Sequence, residues 1–127
     1  MRKILQSKIH RATITGADPD YEGSITIPRE LLKATVMHEY EAVHVWNVTR
    51  ATRFETYTIL GEPHSNDICV NGAAAHLVEI GDIIIIACFT YLPENELRSY
   101  APRLVFVDSN NRILHHGPEI AGPALRC

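Results

Sequence analysis

Tyr21-Glu22-Gly23-Ser24 follows directly on the turn-forming stretch Gly16-Ala17-Asp18-Pro19-Asp20 and sets a hydroxyl beside a glycine carbonyl. Gly23 has no Cβ, so its backbone reaches conformations closed to other residues, and the Ser24 hydroxyl can approach the Gly23 carbonyl. Attack there would turn the amide into an ester through a tetrahedral oxyanion that needs nearby donors. β-Elimination of the ester and hydrolysis of the resulting dehydroalanine would leave a ketone, a pyruvoyl group, on a new N-terminus. By itself Gly-Ser is only a turn dipeptide. Other cofactor chemistry finds little in the sequence. The three lysines, Lys3, Lys8 and Lys33, carry no pyridoxal phosphate signature around them, and the seven histidines, among them the pair His115-His116, are scattered without metal-ligand spacing. Cys69, Cys88 and Cys127 are odd in number and widely spaced, which suits packing better than a disulfide framework or a zinc site.

Lys8-Ile9-His10-Arg11, Tyr21-Glu22-Gly23-Ser24, Trp46-Asn47-Val48-Thr49, Arg53-Phe54-Glu55-Thr56-Tyr57 and Asn71-Gly72-Ala73-Ala74-Ala75-His76, followed by Gly81-Asp82, form an ordered set over roughly Met1 to Val107. In order and spacing this set resembles the pyruvoyl-dependent aspartate decarboxylases. The resemblance implies a six-stranded double-psi β-barrel with short helices, a homotetramer with active sites between subunits, and self-cleavage into residues 1–23 and 24–127 with the pyruvoyl on Ser24. It implies decarboxylation of L-aspartate at C1 to β-alanine and carbon dioxide, through an imine with that pyruvoyl, as a supply for pantothenate. No metal and no pyridoxal phosphate are expected.

Site residues follow by the same resemblance. Arg53 is expected on a substrate carboxylate, its guanidinium offering a bidentate fork, with Lys8 assisting as a point charge. Tyr57 is expected to return the proton after carbon dioxide leaves. Thr56 and Asn71 carry short polar side chains suited to hold the Gly23 carbonyl or the substrate, and the amides of Gly72, Ala73 and Ala74 are expected to line the pocket. His10 and Tyr21 are expected to flank the cleavage point. Each has a plainer reading: Arg53 as a surface arginine, Tyr57 and Trp46 as core, Asn71-Gly72 as a turn. No function is read into the tail after Asp108.

The elements that must position these residues are mostly short strands. Lys3 to Ile14 alternates loosely and reads as a strand ending at Gly16, with Gly16 to Asp20 as a turn. Ser24 to Ile27 reads as a strand, Pro28 to Ala34 as a short helix, and Ala42 to Thr49, Phe54 to Leu60 and Ile68 to Val70 as strands. Ala73-Ala74-Ala75 allows a close turn or one helical turn. Ile83 to Ala87, apolar on both faces, reads as a strand buried on both sides. Pro93 to Tyr100 reads as a surface helix, Arg103 to Val107 as a last strand, and Asn110 to Cys127 as a tail of little structure. Such a series indicates a closed or nearly closed barrel.

A chain of 127 residues with 46% hydrophobic and 21% charged residues is expected to form one globular domain, residues 1–127. Its formal net charge of -3, without a basic cluster, argues against nucleic acid as a partner. Residues 1 to 20 lack the apolar core of a signal peptide, and the longest apolar run, Ile83 to Phe89, is too short to cross a bilayer, so a cytoplasmic protein is expected. The alternative is a small β-barrel that binds a ligand or protein without catalysis.

Overall fold

A computed structural model describes residues 1–119; Cys127 and the end of the expected tail lie outside them. The chain is mainly β. In order it runs β1 (Arg2–Thr13), β2 (Gly16–Asp18), β3 (Ser24–Ile27), α1 (Arg29–Thr35), β4 (Ala42–Asn47), β5 (Arg53–Leu60), β6 (Cys69–Asn71), a 3-10 turn (Gly72–Leu77), β7 (Ile83–Leu92), a second 3-10 turn (Glu94–Glu96), β8 (Arg103–Val107) and β9 (Ile113–His116).

The strands are hydrogen-bonded in the order β2-β6-β3-β5-β4-β7-β1-β8-β9. β1 runs through Ile14 and Thr15 straight into β2, with Thr15 N donating to Ile68 O at 2.8 Å and Ile14 N to Asp82 O at 2.9 Å. β1 and β2 are therefore one bent strand, bonded to β7 on one side and β6 on the other, and the sheet closes into a ring of six members. Closure leaves no free edge within the ring. β8 adds to the outside of this ring, parallel to residues 7–10 of β1, and β9 pairs antiparallel with β8.

Alternation along each strand fills the barrel. Ile9, Ile14, Ile25, Ile27, Val43, Val45, Ile68, Val70, Ile84 and Ile86 are fully buried; the intervening residues face outward. Cys88 is a packing residue, its Sγ 3.2 Å from Ser7 Oγ, and burial pushes its thiol up to about 11, which keeps it unreactive.

Four local expectations are corrected. Gly16–Asp18 is a strand rather than part of the turn, because it finds a parallel partner in Cys69–Asn71, and Gly16 admits the Cys69 side chain, whose Sγ would stand 2.8 Å from a Cβ there. Ile83 to Ala87 is not covered on both sides: Ile84 and Ile86 face the core while Ile83 and Ile85 stay half-buried on the outside. Pro93 to Tyr100 forms only the short 3-10 turn at Glu94–Glu96, which has no side-chain cap and is tied down by an Arg2–Glu94 ion pair. The tail contributes β9, since Asp108 Oδ1 accepts from the amides of Asn110 (2.8 Å) and Arg112 (3.0 Å), turning the chain back onto β8.

Candidate active site

Ser24 opens β3 and lies opposite Asn71, the last residue of β6, in antiparallel register. Alternation directs Ile25 and Ile27 into the barrel, so Ser24 and Thr26 point to the other side, where Asn71 meets both. Asn71 Nδ2 donates to Ser24 Oγ at 3.1 Å and approaches Thr26 Oγ1 at 3.4 Å. Ser24 is 2% exposed and Asn71 7%, so this hydrogen bond is shielded from competing water.

Gly72 follows with a φ of +78°, and a Cβ placed on it would stand 2.5 Å from Gly23 Cα, 2.8 Å from Gly23 N and 3.3 Å from Tyr21 O. Only glycine satisfies both the left-handed backbone and the contact. The chain entering the 3-10 turn thus presses on the Gly23-Ser24 link from one side while Asn71 holds the hydroxyl from the other.

A cavity of about 250 Å³ opens over this point, lined by Tyr21, Gly23, Ser24, Thr26 and Tyr57 among others. β5 runs parallel to β3 with Ile25 opposite Thr58, and one step back along that register sets Tyr57 beside Ser24. The Tyr57 ring is 38% exposed and 6.4 Å from that of Tyr40. Thr26, Glu22 and Glu62 line the cavity with polar side chains to which the sequence reading gave no role, and of these Thr26 reaches the Ser24 partner Asn71. The Thr26 signal was present, since it stands two residues after Ser24 in a strand.

The remaining expected residues are elsewhere. Thr56, next to Tyr57, falls on the alternate face of β5 and does not line this cavity. Ala73 and Ala74 continue the 3-10 turn, Ala74 resting against the core. Arg53 shares the outer face of β5 with Tyr57 but lies four residues, or about 13 Å, further along. Its guanidinium stacks over Trp46 at 4.9 Å.

Lys8 and His10 on β1 belong to a separate pocket of about 340 Å³, with Phe106, His115, Pro118 and Glu119. Lys8, 9% exposed, forms an ion pair with Glu119. His10 Nδ1 is buried and has no hydrogen-bond partner among the described residues. Burial holds the His10 pKa below its ordinary value, with the charges of Lys8 and Arg11 adding to this and Glu119 opposing it. Within one chain the geometry brings together Ser24, Gly23, Asn71, Gly72, Tyr21 and Tyr57, and it leaves Arg53, Lys8 and His10 apart.

Asn47 and Asp82, each from one of the motifs, have a supporting task. Asp82 is 3% exposed and accepts from Asn47 Nδ2 (2.7 Å), Arg50 Nε (2.6 Å) and Glu79 N (2.9 Å). The Arg50 hydrogen bond, with those of Asn47 and Glu79, holds its carboxyl well below the usual carboxylate range. Thr52 Oγ1 donates to Leu77 O at 2.9 Å, so the far end of the Gly72–Leu77 turn is anchored by the same loop that carries Arg50. Among the described residues no group of three or more His, Cys, Asp or Glu side chains is placed to hold a metal, and no helix is long and apolar enough to cross a membrane.

This arrangement has relatives of known name. The chain is 61% identical to an aspartate 1-decarboxylase of Rhodopirellula baltica over 98% of its own length and 80% of the relative's. It is 60% identical to one of Legionella pneumophila, covering 95% of this chain and 91% of that one, and 53% identical to one of Myxococcus xanthus over 99% and 98%. Among solved structures it overlaps a computationally designed protein, msDPBB_sym2, with a TM-score of 0.44 and 14% identity over 67% of this chain and 96% of that one, too slight a likeness to fix the barrel type. The aspartate decarboxylase family model matches residues 1–114, and the chain belongs to that family.

Proposed function

We propose that this protein is a self-processing aspartate 1-decarboxylase that converts L-aspartate to β-alanine and carbon dioxide, with Ser24 as the source of its pyruvoyl group. The observation that carries the reading is the hold on Ser24: its buried Oγ accepts from Asn71 Nδ2 at 3.1 Å while Gly72 closes on Gly23.

Processing begins with Ser24 Oγ on the Gly23 carbonyl carbon. The C–N bond breaks, the Ser24 nitrogen takes the proton, and an ester joins the two residues. Loss of the Ser24 α-proton then expels the Gly23 carboxylate and leaves dehydroalanine, which water converts to the ketone with release of ammonia. Asn71 orients the hydroxyl for the first step, and the bare backbone at Gly23 lets it approach. Buried and with its Oγ already bonded, Ser24 suits a group made from the chain itself. The pyruvoyl carbonyl supplies an electron sink for the bond that loses carbon dioxide.

Tyr57, on the wall beside Ser24, delivers the proton that completes β-alanine. Arg53 and Lys8 bind carboxylates, and Thr56, Gly72, Ala73 and Ala74, none of which lines the cavity over Ser24 in a single chain, complete the substrate contacts in the assembled site, with His10 and Tyr21 beside the processing point. Because Lys8 and His10 lie in a different pocket from Ser24, the proposal requires a second copy of the chain, in a homotetramer whose sites fall between subunits. The outer face of β4, β5 and β7 supports such an assembly: Phe89 packs 5.3 Å from His44 and 6.5 Å from Trp46, beside half-buried Ile83 and Ile85. The double-psi connectivity implied by the family resemblance fits the two parallel pairings within the ring, β2 with β6 and β3 with β5. Cys69 and Cys88, unpaired among the described residues, accord with a reducing compartment such as the cytoplasm, where β-alanine would enter pantothenate synthesis.

The mass of the purified protein under denaturing conditions tests the proposal. Two chains, residues 1–23 and 24–127, the second starting with a carbonyl instead of an amine, together with carbon dioxide release from L-aspartate, are expected. A single unmodified 14.2 kDa chain without activity would favour the non-catalytic barrel.

A further inference from the structure

Lys8 carries an ammonium whose side chain is 11% exposed, whereas the Glu119 carboxylate paired with it is 60% exposed. A buried cation needs a counter-charge, and here it comes from the segment that follows β9 instead of from the barrel. The surrounding pocket, about 340 Å³, is built from His10 on β1, Phe106 on β8 and His115 on β9, with Pro118 and Glu119 forming its rim. His10 Nδ1 is buried there and has no hydrogen-bond partner among the described residues. Phe106 lies between the two histidines, 5.3 Å from the His10 ring and stacked 4.5 Å from that of His115. The floor therefore carries one cation and, among the described residues, one unpartnered buried nitrogen, and the carboxylate that closes it comes from the solvent side.

We propose that Glu119 is a built-in competitor that sets the affinity for substrate: its side-chain carboxylate occupies the place on Lys8 that a carboxylate of the substrate must take. This rests on the assignment of Lys8 to substrate binding made above. Glu119 compensates the buried ammonium while no substrate is present, and an incoming carboxylate that replaces it keeps the ammonium paired. Only the fraction of sites with Glu119 withdrawn accepts substrate, so apparent affinity is reduced by that fraction while the chemical step is untouched.

The test compares the processed parent protein with Glu119→Gln and Lys8→Met, reading steady-state turnover of L-aspartate and, separately, calorimetric binding of succinate, a dicarboxylate without the amine. Glu119→Gln is expected to lower KM by roughly twofold or more, with kcat within about twofold, and to tighten succinate by the same factor. Lys8→Met is expected to weaken both. Unchanged or weaker binding in Glu119→Gln, alongside a weakened Lys8→Met, overturns the role of Glu119 and leaves the Lys8 assignment standing. If Lys8→Met changes neither KM nor succinate affinity, the assignment of Lys8 itself fails, and the competitor role falls with it.

Discussion

Gly72 leaves no room for a side chain against Gly23: a Cβ would stand 2.5 Å from the Gly23 Cα. Contact and backbone conformation point the same way, since Gly72 has a φ of +78°, where an L-residue is disfavoured by about 1 kcal/mol or more. Gly72→Ala must therefore push the Gly23-Ser24 link out of position. We expect self-cleavage to slow by roughly tenfold or more, the equivalent of about 1.4 kcal/mol on the barrier. Timed denaturing gels would show the uncut 14.2 kDa chain persisting; cleavage at the parental rate would mean that Gly72 does not support the bond.

Asn71 acts on the other partner. Its Nδ2 is 3.1 Å from Ser24 Oγ, and loss of one such hydrogen bond, about 1 kcal/mol, corresponds to roughly fivefold in rate. Asn71→Ala should slow appearance of the short N-terminal fragment by about that factor. Ser24→Ala, which removes the nucleophile, should stop cleavage and decarboxylation together. Retained activity in an uncut Ser24→Ala protein would defeat the mechanism.

Tyr57 stands on the cavity wall but makes no contact with Gly23 among the described hydrogen bonds. Its removal should separate processing from turnover. For Tyr57→Phe we expect normal cleavage and a kcat reduced by roughly a hundredfold, the scale of a lost general acid. Undiminished turnover would remove Tyr57 from the proton step.

How much of this was legible in the sequence differs from residue to residue. Ser24 and Tyr57 were readable as candidates because the motif blocks carry them, and Thr26 could have been found from the period-two alternation starting at Ser24. The meeting of Ser24 with Asn71 was not, because 47 residues separate them and strand register is set by tertiary pairing. Gly16–Asp18 and Ile113–His116 were missed for the same reason: neither has a strong strand pattern, and each becomes a strand by finding a partner. The Ile83 to Ala87 run misled in the opposite sense. Its outer positions, Ile83 and Ile85, are half-buried, so an unbroken apolar run does not by itself mean cover on both faces of a strand. The separation of Lys8 and His10 from Ser24 was equally hidden, since the order of motifs along a chain does not give the distance between their members in the fold.

Asp82 gives the prediction that depends on pH. Its carboxylate accepts from Asn47, Arg50 and Glu79, and these bonds hold its pKa below the unfolded value near 3.8, with Arg50 the largest cause. For a carboxyl whose folded pKa is depressed, the stabilisation is present above the unfolded pKa and fades as pH falls toward the folded one. Asp82→Asn should therefore lower stability by about 2 kcal/mol at neutral pH, the scale of lost hydrogen bonds to a charged group. The gap in thermal midpoint between parent and variant should narrow as pH falls below about 4. Thermal melts of both proteins over that range check the sign. A gap that stayed constant with pH would mean that Asp82 contributes through shape and neutral hydrogen bonding alone, and that the charge of Arg50 is not what secures the loop behind the Gly72–Leu77 turn.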